Sequence, residues 1–287
     1  MTLVQRITVS IAFIPDKRLQ RYLSRTMDSA DAEKIMLATV DPNQRRRMKD
    51  LGKPSPGLFL YPQPAYLRVL AETGQSATAS LNNSQLHQAL NVRMGTAALT
   101  TNSGDCVACG KSVNNVNEHL MFCMHGRIAC HNTMLCTLAT LFRDLGFSTQ
   151  TERMLFPAEQ KRMDLVVNVG GSVFAVDLTI VSPLASTTTK PAVIAAAEAK
   201  VAKYKTLCES IGARFVPAAF DMWGNRCPQF EEFIKFLMAS STIHHPHITQ
   251  SATAVHTRIT VGLFRAVGGF IADKVAAAAA AARVVAH

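Results

Sequence analysis

The chain has 287 residues, of which 48% are apolar and 17% charged, enough to build one or two cores and too apolar for a disordered protein. Lys and Arg outnumber Asp and Glu by 30 to 20, a formal charge of +10, which favours a polyanionic partner, nucleic acid before anionic membrane. The nearest approach to a membrane span, residues 275–285, is mostly alanine and is interrupted by Arg283, so no membrane partner is expected.

In chain order, residues 1–100 read as a mainly helical basic region. Lys17, Arg18, Arg21 and Arg25 line one side of a helix, and Arg45, Arg46 and Arg47 form a cationic cluster suited to phosphate contact. Four prolines between 54 and 64 break the chain, and 84–90 reads as a short helix. Residues 101–131 hold Cys106-x2-Cys109-x9-His119-x3-Cys123. Three thiols and an imidazole at these spacings suit a closed, structural Zn²⁺ site, with Gly110 allowing a tight turn and His119 and Cys123 on one side of a helical turn. The simpler alternative is four unlinked residues, the cysteines buried as small apolar side chains; the other four cysteines, Cys130, Cys136, Cys208 and Cys227, read as core rather than ligands.

From Asn132 to residue 237 an α/β pattern takes over. Met134, Leu135, Leu138, Leu141 and Phe142 recur at helical spacing, with Gly146 as the stop. Strands are expected at 148–156, 163–169 and 172–181, then a helix opened by Pro191 and running to about 211, then a strand at 215–220 whose Pro217 argues for an edge or a bulge. The order is α-β-β-β-α-β. A helix at 230–237 follows. Residues 238–287 read as a loop containing His244, His245 and His247, then an Ala-rich helical tail.

The most informative stretch is the hairpin around Gly170-Gly171. A two-residue turn there pairs Val169 with Ser172, Asn168 with Val173, Val166 with Ala175 and, counting outward, Asp164 with Asp177. Opposed carboxylates repel, and a divalent cation reverses the sign of that interaction, so the pair reads as a candidate clamp for Mg²⁺. The simpler reading is two aspartates ending their strands in solvent.

The zinc-type knuckle, Arg127-x3-His131-Asn132, Arg162-x-Asp164 and Asp177-Leu178-Thr179 together resemble the restriction-enzyme-like endonuclease of site-specific non-LTR retrotransposons, a branch of the PD-(D/E)xK nucleases. The similarity spans about residues 80–235 and takes in the arginine-containing stretch 90–95, Phe215-Val216-Pro217 and Trp223-Gly224. It implies a PD-(D/E)xK-like α/β core that nicks target DNA with Mg²⁺ or Mn²⁺ held by Asp164 and Asp177, a structural Zn²⁺ in the knuckle, and a nuclear location. It further implies DNA and element RNA as partners, and a reverse transcriptase on a longer polyprotein or a separate chain. Arg162 takes the place of the family's cation before the first aspartate. Lys200 and Lys203, beside Tyr204 in Lys200-x2-Lys203-Tyr204, match its helix-borne lysine, and Glu152 is the candidate for its first acid. Met163 stands where proline is usual, Thr179 where many members carry lysine, and no Tyr-x-Asp-Asp occurs. Two non-nuclease readings remain: a catalytically inactive zinc-containing nucleic-acid-binding relic, and a zinc-stabilised protein-interaction module.

Overall fold

Glycines and short apolar repeats bound most elements of the computed structural model, which describes residues 81, 84–85, 88–89, 104–106, 108–113, 119–120, 123–157, 159–182, 190–222 and 224–285, with side chains to 281. The basic helix expected near 17–25, Arg45, Arg46, Arg47 and nearly all of the 1–100 region lie outside the described residues. Of the helix expected at 84–90, Ser84, Gln85, Gln88 and Ala89 are described and are helical.

Two strands of two residues each, β1 (Gly104–Asp105) and β2 (Ser112–Val113), pair antiparallel at the base of the knuckle. Helix α1 (Arg127–Asp144) begins at Arg127, earlier than Asn132, because Gly126 at φ 80° turns the chain into it. It ends as the sequence indicates. Gly146, at φ 92°, donates its N–H to Arg143 O, and Phe147 N–H reaches back to Phe142 O at 3.0 Å. That pair of bonds is a Schellman termination, which satisfies carbonyls the helix would leave open.

Strands β3 (Ser148–Phe156), β4 (Lys161–Val169) and β5 (Ser172–Val181) form an antiparallel meander. Helix α2 (Ala192–Ser210) then carries the chain to β6 (Ala213–Asp221), parallel to β5, so the sheet order is β3-β4-β5-β6. Gly170 and Gly171 both have positive φ, 53° and 82°, as a type I′ turn requires, and the ladder runs Val169↔Ser172, Asn168↔Val173, Val166↔Ala175 in the expected register. β6 is an edge strand, which is where a ladder tolerates Pro217.

The two faces of the sheet bury different elements. Val166 and Ala175 pack with Tyr204 and Cys208 of α2, and Phe215 meets Tyr204 with ring centroids 5.6 Å apart. On the other face Phe174 and Phe142 both meet Phe233, at 5.1 and 5.9 Å, and Phe220 meets Phe230 at 5.0 Å. Phe230 and Phe233 belong to helix α3 (Pro228–His244), which continues past the expected limit of 237 and absorbs His244 into its last turn. The extension follows from burial: Ser240 and Ser241 lie inside, and Ser241 Oγ donates to Leu145 O at 2.8 Å. Helix α4 (Ala252–Val285) packs along α1. A buried network ties it to α3: Arg226 bonds Glu231 at 2.9 Å, His256 Nδ1 at 3.0 Å and Thr260 at 2.7 Å. The result is a mixed α/β architecture of four long helices and a mixed four-stranded sheet among the described residues. None of these helices is long and apolar enough to cross a membrane.

Candidate metal centre and the acidic strand row

Local backbone bonds shape the knuckle. Cys106 N–H donates to Lys111 O at 2.8 Å, and Gly110, at φ 69°, returns its N–H to Cys106 O at 2.7 Å, folding Cys106 and Cys109 around one point. One helical turn, Cys123 N–H to His119 O at 2.7 Å, brings the other two side chains to the same side. The four candidate ligand atoms lie within 4.8 Å of one another, with Cys106 Sγ and Cys123 Sγ 4.0 Å apart and Cys109 Sγ 3.2 Å from His119 Nε2. Thiolates bound tetrahedrally at ≈ 2.3 Å would stand about 3.8 Å apart, close to the Cys106–Cys123 separation, so the donor set suits zinc in chemistry and in approximate spacing. Burial first, then the charges of Lys274 and Lys111, lower the His119 pKa, which favours the neutral imidazole a metal needs. Thus the cluster can hold a metal ion such as zinc, on the four residues expected. His125 stands exposed outside it.

The remaining cysteines divide. Cys130, Cys208 and Cys227 are buried, and burial pushes Cys130 up to about 12 and Cys208 up to about 11. Cys136, expected in the core, is exposed, because it falls on the outer side of α1 between Leu135 and Leu138.

A second constellation lies at the open end of the β4–β5 hairpin. Paired residues end at Leu165↔Val176, and Asp164 and Asp177 are the next step of the same register. On the other side of β4, Thr151↔Leu165 and Arg153↔Met163 bracket Glu152 opposite Asp164. The three acids therefore occupy corresponding register positions of β3, β4 and β5, at points where neither ladder is paired. Glu152 has φ 52°, a conformation unusual for a residue with a side chain, and it is exposed. Asp177 is buried and Asp164 half-buried. These acids do not gather as the sulfur cluster does: among the described residues the Cys/His group is the one set of three or more metal-ligating side chains in mutual reach.

Asp164 is held firmly on one oxygen. Its Oδ2 accepts the Leu178 N–H at 2.6 Å and lies 3.2 Å from His131 Nε2, while His131 Nδ1 is 3.3 Å from Asn132 Oδ1. The bond to Asp164 raises the His131 pKa against the opposing effect of burial. Asp164 Oδ1 makes no hydrogen bond or ion pair with the described residues. Asp177 Oδ2 meets Lys200 Nζ at 2.5 Å, an ion pair without hydrogen-bond alignment. Burial raises the Asp177 pKa, Lys200 opposes that shift, and Asp164 adds to it.

The expected helix residues separate by role. Lys200 reaches Asp177, whereas Lys203 is exposed over the Tyr204 ring, at 4.7 Å, and its pKa is raised chiefly by its bond to Tyr204. Tyr204, expected to face nucleic acid, is instead buried against Phe215, since the sheet-facing side of α2 needs an apolar ring there. Arg162 is exposed on β4. His131 was legible only as part of Arg127-x3-His131-Asn132; its partnership with Asp164 spans 33 residues and no local pattern signals it. No protein-family model matches this chain, and no curated protein matches it either.

Proposed function

We propose that the chain is a metal-dependent DNA endonuclease that hydrolyses phosphodiester bonds, as in target-site nicking by a non-LTR retrotransposon. The observation carrying this reading is that Asp164 and Asp177 take the next register step beyond the paired part of adjacent strands, with a lysine from the following helix on Asp177. Mg²⁺ or Mn²⁺ would be held by Asp164 and Asp177, and would polarise the scissile phosphate and acidify the attacking water. The donor chemistry suits a hard cation. Asp164 is anchored through Oδ2 by Leu178 and His131, which leaves Oδ1 available, and ligating carboxylates are commonly oriented in this way. Lys200 neutralises Asp177 in the absence of substrate and, with phosphate present, offers its ammonium to the developing charge. Arg162 and the Arg45–Arg47 cluster contact the backbone, giving salt-sensitive affinity with little base readout. In this reading the protein acts in the nucleus, with DNA, element RNA and a reverse transcriptase as partners.

A binding-only relic is the competing reading. It is favoured by the Lys200–Asp177 ion pair, which occupies one acid, and by Thr179 in the position where a strand lysine would stand. Plasmid nicking with Mg²⁺, run beside DNA-binding anisotropy, separates the two. Asp164→Ala and Asp177→Ala should each abolish nicking and leave binding intact, and Lys200→Ala should slow it by about 10²–10³. Firm binding without nicking by the parent protein selects the relic. Nicking that survives both aspartate substitutions removes the proposed site.

A further inference from the structure

The knuckle has a neighbour that no spacing in the sequence announces. Lys274, on α4, is 4% exposed, and its Nζ lies 3.4 Å from Leu120 O and 3.8 Å from the centre of the Phe270 ring. The Leu120 carbonyl places it beside the ligand turn, where Cys123 and Cys106 lie within its electrostatic reach. No carboxylate among the described residues pairs with it. A buried ammonium is costly unless a negative charge stands beside it. Three neutral thiols supply none. Three thiolates and a neutral imidazole around a divalent zinc carry one net negative charge.

We infer that Lys274 is the counter-charge of a zinc-loaded Cys106/Cys109/His119/Cys123 centre, so that metal loading and the docking of α4 against the knuckle are coupled. This rests on the cluster holding zinc and not on the nuclease reading. Loading releases the thiol protons and creates the charge that Lys274 balances. The ammonium in turn stabilises the thiolate form, and its bond to Leu120 O fixes α4 beside the turn that presents His119 and Cys123. Such partners of metal ligands commonly contribute 10–100-fold to metal affinity.

The test is zinc affinity of the full chain, by competition with a chromophoric chelator, with stoichiometry from elemental analysis. Lys274→Met should weaken zinc by roughly 10–100-fold, and Lys274→Arg should stay close to the parent. A charge-swapped background isolates the electrostatic origin. Cys109→His makes the centre neutral, so adding Lys274→Met there should cost little further affinity. If Lys274→Met does not fold, Lys274→Gln against Lys274→Arg in both backgrounds carries the same comparison. Equal losses in the two backgrounds would mean that Lys274 acts by packing alone, and undiminished affinity in the single variant would refute the role outright. A parent protein that takes up no zinc would overturn the metal centre and, with it, this coupling, while leaving the nicking assay as a separate question.

Discussion

The knuckle at 104–123 and the sheet at 148–221 hold their shapes by different means. The knuckle owns two strands of two residues each, both largely exposed, and brings four candidate ligand side chains to one point. The sheet has strands of nine or ten residues, and β4 alone buries Met163, Leu165, Val166, Val167 and Val169. One region can draw its stability from metal binding, the other from apolar area removed from water. The contrast also separates two kinds of legibility. Ligand spacing is a local property that reads directly, whereas a strand row becomes a site only when other elements bring partners to it.

Four perturbations should sharpen this contrast. The largest effect is expected from Cys106→Ser, which removes a buried ligand: zinc stoichiometry should fall to near zero, and amide protection should be lost around 104–123 while persisting in β4 and β5. Protection lost in both regions together would show one cooperative unit instead of two differently held ones. The converse substitution, Phe142→Ala, removes a ring packed edge-on against Phe233 and should cost about 3–5 kcal/mol in denaturant unfolding while zinc content stays at parent level.

The third perturbation is pH. Burial first, then Arg226 and Lys235, depress His256 to about 4. The unfolded chain, with its ordinary histidine near 6.5, binds a proton that the folded form refuses, so stability should fall as pH drops from about 6.5 towards 4. The loss approaches about 3 kcal/mol at the lower end. Urea midpoints across that window should slope for the parent protein and flatten for His256→Gln once its own lower stability is subtracted. The knuckle answers to the same acidification differently, through proton competition for its thiolates, so zinc release and helix loosening should follow separate pH curves.

The smallest effect belongs to the hairpin turn. Gly171→Ala meets no neighbouring atom within 4 Å, so its cost is backbone strain alone at φ 82°, about 1–2 kcal/mol, read as a lowered thermal midpoint. No loss on substitution would mean that the turn is not the I′ form that sets the register of Asp164 and Asp177.

By itself the sequence determined the order α-β-β-β-α-β, the Gly170-Gly171 turn with its register, the glycine stop of α1 and the convergence of Cys106, Cys109, His119 and Cys123. Each depends on neighbours within about twenty residues, where helical and strand periods, positive-φ glycines and ligand spacing leave few alternatives. Tertiary structure decided which of the expected residues meet. It turned Tyr204 inward to the α2 face of the sheet, set Lys200 rather than Lys203 on Asp177, and left Cys136 outside the core. It also anchored Asp164 with a histidine 33 positions earlier and brought Lys274 to a carbonyl 154 positions away. Those contacts follow from how helices pack on a twisted sheet, and burial changes the energetic cost of each charge according to where the packing leaves it.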